Sequence, residues 1–333
     1  MAEKDTFATL GKREAIRKLF EGSAYAPFCD PVAFQSTSRA HIHTVSKIFL
    51  EGIDFDLVYF PLKHLGYKCV TAATAELYAK NSAPRTLSIN LGVSAKLDFE
   101  HIQILWSGVL LAARKYGYKK LALDIVPSKN GLSITVTATG ETSELAAKRR
   151  SQAHSKDLIC LSGSVGGAYL GQALLESEKV RFENGAQKSE VLEKYQVIVG
   201  DYLKPELPEG ILENLEDAEI YPSFGYSVRN GLADAVLRLS EESGLGAKIY
   251  VDKIPFEGNS FALGQELNID PMSAAMNGGD DYKLLYVVPI TQLDKFRKDF
   301  QTFSIIGHLA QQEVGSVLVM PEGVEIPLKA QGW

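Results

Sequence analysis

Apolar and polar positions change period several times along this chain, and each change marks an element. From 61 to 81 (PLKHLGYKCVTAATAELYAKN) small and apolar residues recur at helical intervals until Asn81, Ser82, Ala83 and Pro84 stop them. Asp98 is placed to cap a second helix reaching about Tyr116, with Ile102, Leu105, Val109 and Ala112 on one stripe and Gly117 at its end. Elsewhere in this half the period shortens. Strands are predicted from His41 onward and over 86–93, 121–126 and 132–139, the last two joined by a polar loop at 127–131. A short amphipathic helix over 12–20 and a coil through Pro27, Asp30 and Pro31 precede them.

The stretch 140–156 is polar, charged and poor in large apolar side chains, which places a domain boundary there, with one unit at 1–142 and a second at 143–333. The second unit opens with a strand at 158–161, turns through GSVGGAYLG and enters a helix ending near Glu178. Further helices are predicted over 190–199, 231–243 and 293–300, strands over 247–251 and 284–288, and short strands at 304–307 and 316–320. The stretch 221–226 reads as an aromatic turn. Helices and strands interleave in both units, so the fold class is α/β, and no fixed-period repeat appears.

Composition narrows the partners. With 333 residues, 45% hydrophobic and 23% charged, the chain has ordinary globular values and enough length for two cores. A net charge of -6 argues against electrostatic binding of nucleic acid, and the basic clusters at 119–120 and 148–150 are too short to reverse that. No apolar run approaches a bilayer span, and the opening MAEKDTFATL lacks a signal-peptide core, so no membrane partner and a cytoplasmic location are expected. Cys29, Cys69 and Cys160 are odd in number and far apart, which suggests neither a disulfide framework nor a thiolate zinc site. His41 and His43 fall on one strand face, with nothing nearby in sequence to complete a metal site.

Several stretches carry candidate chemistry, each beside an ordinary alternative. NGGDDYKLLYVVP (277–289) sets two carboxylates at the mouth of a half-buried strand, where they could bind a metal, hold a ribose or act as base; Gly-Gly-Asp-Asp is also a common turn. The glycine-rich stretch 163–171 follows a strand and opens a helix, so its free amides could hold a phosphate or simply make a tight turn. In SVRNGL (227–232) Asn230 or its neighbours are placed to cap the following helix. EGIDFD (51–56) is the acid-rich edge of a strand, a place where acids often face only solvent. Asp124 ends the apolar run LAL, where α/β folds often present functional groups.

Taken in order, these segments resemble the thiamine-monophosphate kinases of the wider aminoimidazole-ribonucleotide-synthetase-like superfamily. NGGDDYKLLYVVP is similar to the family's GGEDYEL and the apolar strand after it, EGIDFD to E-G-V-H-F-D, PLKHLGYK to the start of the next helix, and KDLICLSGSVGGAYLG to G-D-x-I-x-V-T-G. The likeness runs over essentially the whole chain. It implies a two-domain fold in which the N-terminal α/β domain binds ATP and closes a β-barrel with its twin across a homodimer, with a C-terminal α/β domain behind it. It also implies transfer of the γ-phosphoryl group of ATP to thiamine monophosphate, with Mg2+ ions held by aspartates, chemistry that rests on positioning and on neutralising phosphate charge.

The family's metal-side residues are where this sequence departs from it. Gly-Asp-Asp falls on Cys29, Asp30 and Pro31; Thr-Thr-Asp falls on Val45, Ser46 and Lys47; the histidine of the next motif is Asp54. Asn-Leu-Ser-Asp reads Ala73, Thr74, Ala75 and Glu76, and the aspartate of Gly-Gly-Asp-Thr survives as Asp124 behind Ala122 and Leu123. Asp-x-Ser-Asp-Gly-Leu falls on 227–232, where Ser227 and Asn230 replace the acids and Arg229 arrives. The resemblance thus leaves Asp30, Glu76 and Asp124 as metal-side acids. Lys47, Asp124, Arg150, Arg229 and Asn230 fall at nucleotide or phosphate contacts, and Asp54, Asp280 and Trp333 on the substrate side. No residue is singled out as the catalytic group.

Mg2+ takes hard oxygen ligands in tight octahedral geometry. Losing acids at 31, 227 and 230 while gaining Lys47 removes attraction for a divalent cation and adds repulsion. Lys47 and Arg229 can instead bind phosphate oxygens directly. The expectation is a site for thiamine monophosphate or another small phosphorylated molecule with little or no Mg2+, with phosphoryl transfer weakened or lost; the competing class is a non-catalytic relative that binds a phosphorylated metabolite. A dinucleotide-dependent oxidoreductase built on 163–171 fails on glycine spacing and on the lack of a well-placed ribose-binding acid.

Overall fold

The helix predicted from 61 forms over Leu62–Ala79, and in the computed structural model, which describes residues 32–35, 41–185 and 190–331, it lies between two β-sheets. Elements are numbered along the chain. The first part runs β1 (Val32–Gln35), β2 (His41–Leu50), α1 (Leu62–Ala79), β3 (Ala83–Ser94), α2 (Phe99–Lys115), β4 (Lys120–Ser128), β5 (Ser133–Thr142) and α3 (Glu144–Arg149). Then follow β6 (Leu158–Ser162), α4 (Gly167–Glu183), α5 (Glu190–Lys194), α6 (Gln196–Leu203), α7 (Ile211–Asp217), β7 (Phe224–Val228), α8 (Leu232–Ser243), β8 (Gly246–Tyr250) and α9 (Ser260–Leu267). The chain ends with α10 (Pro271–Asn277), β9 (Lys283–Val288), α11 (Leu293–Asp299), β10 (Phe303–Ala310), β11 (Ser316–Val319) and β12 (Glu325–Pro327). The expected helix at 12–20 and the coil at 27–31 lie outside the described residues.

Among the described residues β1 to β5 form one mixed sheet in the order β1-β2-β5-β3-β4, and the later strands form a seven-stranded sheet, β12-β11-β8-β10-β6-β9-β7. Along β2 the inward positions Val45, Lys47 and Phe49 alternate with outward ones, the period-2 pattern of a strand with one covered face. α1 shows no such contrast. Nearly every residue from Leu65 to Leu77 is buried, because β2 and β5 cover one side and the second sheet covers the other.

Small residues let α1 make those contacts. A Cβ at Gly108 of α2 would stand 1.9 Å from the carbonyl oxygen of Lys63, so the two helices cross in near backbone contact. A Cβ at Gly225 of β7 would stand 1.9 Å from the carbonyl oxygen of Ala79, and beside it the Tyr286 hydroxyl donates to the Tyr78 carbonyl at 2.7 Å. The carboxyl end of α1 is thereby seated on the edge strand of the second sheet.

Several elements differ from the sequence expectation. The helix expected at 190–199 is split into α5 and α6 at Tyr195, whose ring is buried while its hydroxyl donates to Glu266 at 2.7 Å, turning the chain out of helical geometry. The aromatic turn at 221–226 supplies β7, since Phe224 and Tyr226 pair with Val287 and Leu285 of β9 and suit a pleated surface. The polar stretch 140–156 holds the end of β5 and the short helix α3. Among the described residues no helix is long and apolar enough to cross a membrane.

Replacing Gly225 by alanine drives a methyl into the Ala79 carbonyl and must shift α1 from β7. We expect a loss of about 1–3 kcal/mol in urea unfolding, the usual range for overpacking a filled site; a stability unchanged from wild type would show that α1 is not seated by this contact.

Candidate functional site

Charged side chains gather where α1 passes between the sheets. Lys47 of β2 and Glu76 of α1 form an ion pair at 2.8 Å with side chains only 6% and 3% exposed. Burial alone would raise the Glu76 carboxyl, but Lys47, Arg238 and Arg229 hold it below the usual carboxylate range. Burial lowers the Lys47 ammonium against the pull of Glu76. Arg238 of α8 pairs in turn with Asp234 at 3.0 Å, and the Asn230 side-chain amide donates to the same carboxylate at 3.2 Å. Of the cap candidates at and around Asn230, the neighbouring Gly231 takes the cap position, with no side-chain cap, and α8 starts at Leu232.

Two turns before Glu76, Lys68 projects from α1 toward the signature stretch. Its side chain is 1% exposed, and its ammonium stands 2.8 Å from Asp280, 3.7 Å from the centre of the Tyr202 ring and 5.3 Å from that of Phe60, a cation held by one carboxylate and two aromatic rings. Burial pushes Asp280 up, but Lys68 and Arg229 outweigh it and the carboxyl stays below its ordinary value. Asp54 sits nearby with its carboxylate accepting from the Leu50 amide at 2.8 Å, and burial, aided by Asp280, raises it. Arg229 lies over the Phe49 ring at 5.9 Å, in the field of Asp280, Glu76 and Asp54; among the described residues its guanidinium has no direct ion pair.

The signature loop is wound tightly. Gly279, Asp280 and Tyr282 all have positive φ (89°, 61° and 51°), a conformation costly for the two side-chain-bearing residues and one that concentrates at functional sites. Hydrogen bonds hold it: the Asp280 amide donates to the Arg229 carbonyl at 2.7 Å, the Tyr282 amide to Val228 at 2.9 Å, and the Tyr282 hydroxyl to Asp280 at 2.8 Å. Asp281 turns the other way. Its carboxylate accepts from the amides of Gly166 and Ala168 at 2.8 and 3.1 Å, at the amino end of α4. The glycine-rich turn read as a possible phosphate cradle is therefore occupied by the protein's own Asp281 carboxyl, whose bonds to these amides favour its charged form but do not outweigh burial.

The acids of EGIDFD, read as facing solvent, all have partners. Asp54 binds Leu50, Asp56 pairs with Lys179 at 2.6 Å, and Glu51 accepts from the Leu132 amide at 2.6 Å. Asp124 is exposed on the edge strand β4, its carboxylate accepting from the Ile125 amide at 2.9 Å. Strand register separates it from Lys47: Lys47 pairs with Val136, Val136 with Ile89 and Ile89 with Leu123, whereas Asp124 pairs with Asn90, Asn90 with Thr135 and Thr135 with Ile48. Paired residues share a face, so Asp124 projects away from Glu76. Arg150 stands at the other end of β2, donating to the Lys80 carbonyl at 3.1 Å. There burial, with Arg150, Lys80 and His41 close by, pushes His43 down to about 4. Asp30 and Trp333 lie outside the described residues.

These positions bear on metal binding. Glu76 is already neutralised by Lys47, Asp124 is on the opposite face, and among the described residues no group of three or more His, Cys, Asp or Glu is placed to hold a metal ion. The donor set described does not fit the Mg2+ cluster that the resemblance implied.

Known proteins were compared with this chain. No family model matches it. Curated thiamine-monophosphate kinases do match: that of Aquifex aeolicus is 22% identical over 287 residues, 86% of this chain and 87% of that protein. That of Bacillus subtilis is 22% identical over 289 residues, and that of Pyrococcus horikoshii 25% identical over 269, covering 85% and 80% of this chain and 85% and 78% of those proteins. The chain is similar to the thiamine-monophosphate kinases along most of its length. A solved structure described as AaThiL complexed with AMPPCP and TMP superposes with a TM-score of 0.80 at 20% identity, covering 100% of this chain and 99% of that one. HypE of E. coli, a hydrogenase maturation protein, gives 0.63 at 16% identity over 86% of this chain and 85% of its own. This thiamine-monophosphate-kinase-like chain thus has the mixed α/β fold that those kinases share with HypE.

Lys68, Arg238 and Asp234 were not singled out from the sequence. Lys68 left a signal, a cation inside the small and apolar run from 65 to 75; Arg238 and Asp234 form an i,i+4 pair on α8 that reads as a solvated face. Changing Glu76 to Gln leaves the Lys47 ammonium buried without its carboxylate. We expect urea unfolding to show a loss of about 3–5 kcal/mol, whereas the double change Lys47→Met with Glu76→Leu stays near wild type; equal losses in both variants would mean that packing, not charge, sets the cost.

Burial raises the Asp281 carboxyl to about 7, so the folded chain holds that proton more tightly than the unfolded chain, whose value is near 3.8. The associated stability is fully present below the unfolded value and is lost as pH rises through the folded one. Wild type should lose melting temperature relative to Asp281→Asn between pH 5 and pH 8, and a difference that does not vary with pH over this window would rule the shift out.

Proposed function

We propose that this chain is a thiamine-monophosphate-kinase-like protein in which phosphoryl transfer is weakened or lost, and that its cleft binds a phosphate-bearing ligand without Mg2+. The observation that carries this reading is the buried Lys47–Glu76 ion pair, which sets an ammonium where the resembling kinases carry a metal-binding aspartate. ATP and thiamine monophosphate are the expected ligands, in keeping with the relative described as complexed with AMPPCP and TMP. Arg229 is the group we assign to the ligand's phosphate, because the residue is half-buried in the field of Asp280, Glu76 and Asp54 while Lys47 is already paired. Lys47 becomes an internal counter-ion in this reading. Asp54 and Asp280 flank the substrate side, and Arg150 offers a second cation at the far end of β2.

We also propose a domain boundary at 142/143 and a homodimer. The strand β4, an edge among the described residues, supports the latter, with Leu121, Leu123, Ile125 and Val126 exposed by 38%, 41%, 50% and 54% across its two faces, an apolar edge that another chain would cover.

The test is to supply the purified full chain with ATP and thiamine monophosphate, following thiamine diphosphate formation, and to measure ADP binding with EDTA and with excess Mg2+. We expect little or no product, ADP affinity that EDTA leaves within about twofold, and about a tenfold loss of affinity in Arg229→Ala, the size of one charge-assisted contact. Efficient turnover, or binding that requires Mg2+, overturns the proposal.

A further inference from the structure

We propose that Lys68 is a positioning residue of the cleft: from beneath Asp280 it holds that carboxylate outward as the acceptor for a hydrogen-bond donor or a positive charge on the organic body of the phosphate-bearing ligand. Asp280 flanks the substrate side in the function proposed above, on which this role rests, and Lys68 acts through it without touching the ligand.

A lysine is a costly choice at 68. The side chain lies in the run from Leu65 to Leu77 that both sheets bury, where an unpaired ion is strongly destabilising. Two apolar side chains of similar volume would seat α1 against the signature loop as well as the ion pair does or better, so stability alone does not call for the charge. Tyr202 and Phe60 wall the ammonium in, their rings edge to face with centroids 5.3 Å apart, and the Tyr202 hydroxyl is itself fixed by donating to the Asp54 carbonyl at 3.1 Å. Among the described residues Asp280 is the one carboxylate paired with Lys68.

Asp280 is held in one orientation. Lys68 engages Oδ2 and the Tyr282 hydroxyl engages Oδ1, and each oxygen keeps a second lone pair. The Asp280 side chain is 31% exposed where Lys68 is 1%, so the ammonium backs the carboxylate and its open side is the cleft, where Asp54 and Arg229 are also half-buried. Burial raises Asp280, but Lys68, ahead of Arg229 and Tyr282, brings it below its ordinary value, while burial, with Asp280 adding to it, raises Asp54. Asp280 is thus the member of the pair that carries the charge. A fixed anion near Arg229 suits a ligand whose phosphate meets the arginine while an amino group, hydroxyl or cationic ring meets the carboxylate.

Calorimetric titration of thiamine monophosphate and of ADP into the full chain tests the role. In Lys68→Met we expect thiamine monophosphate to bind about tenfold more weakly, the size of one charge-assisted contact, and ADP to stay within about twofold of wild type. The loss should deepen as pH falls from 7 to 5, because Asp280 without its ammonium takes up a proton under burial; the ratio of wild-type to variant affinity cancels titration of the ligand itself. The groups facing Asp280 are Lys68 and Cys69 of α1, Arg229 after β7, Asp54 after β2, Tyr202 of α6 and Tyr282 of its own loop. Unchanged thiamine monophosphate affinity, equal losses for both ligands, or a ratio that does not vary with pH overturns the role of Lys68 and leaves the assignment of Arg229 to its own test. A wild type that binds no thiamine monophosphate overturns it too, and one that binds neither ligand overturns the proposed function as well. Should Lys68→Met fail to fold, Lys68→Gln, which keeps a donor beside Asp280 and drops the charge, is read by the same two ligands and the same pH ratio.

Discussion

A charge carried into a buried helix must be neutralised where it sits, and α1 carries two. Glu76 and Lys68 lie on a segment covered by both sheets, so each needs a partner from another element: Lys47 from β2 for one, Asp280 from the loop before β9 for the other. Moving an unpaired ion into such a place costs several kcal/mol, so the two pairs constrain how β2, α1 and the signature loop can be arranged together. Arg229 and Arg238 extend the same logic, the first in the field of Asp280 and Glu76, the second paired with Asp234. Cations and carboxylates alternate through this seam, and the protein supplies both signs itself.

The same self-sufficiency appears at the amino end of α4. A helix terminus of that length attracts an anion, and in many proteins a ligand supplies it. Here the Asp281 carboxyl takes that place, and because it follows Asp280 directly, the strained loop reaches two places at once: Asp280 to α1 and Asp281 to α4. The positive φ values at 280 and 282 are the local cost of splaying two adjacent acids in different directions.

How much of this was legible in the sequence follows from what each signal measures. The two long helices and most strands were readable because apolar spacing reports burial along one element, as with Ile102, Leu105 and Val109 on α2. Tyr195 defeated the same reading, since its contacts come from Glu266, distant in sequence. The resemblance placed Lys47 and Glu76 at metal-side positions, but that they neutralise each other depends on β2 lying beside α1, which no local pattern states. Asp124 was assigned to the same cluster as Glu76 by motif order alone. Only the register through β5 and β3 shows the two on opposite faces.

The ion pairs also bear on how such a seam relates to a metal-binding one. A divalent cation can neutralise two or more carboxylates at once, whereas a lysine such as Lys47 neutralises one. Glu76 then remains satisfied with no ion from solution. The reverse exchange is not symmetrical. An acid at 47 would face Glu76 across a distance now bridged at 2.8 Å, with Arg229 and Arg238 still directed at the same carboxylate and competing with any metal for it. Like charges that close raise one another's pKa, and protonation would relieve the repulsion before a cation did. Arg229, just after β7, and Arg238 of α8 therefore add to the positive field on Glu76 that Lys47 supplies, and a metal at this carboxylate would have to compete with all three.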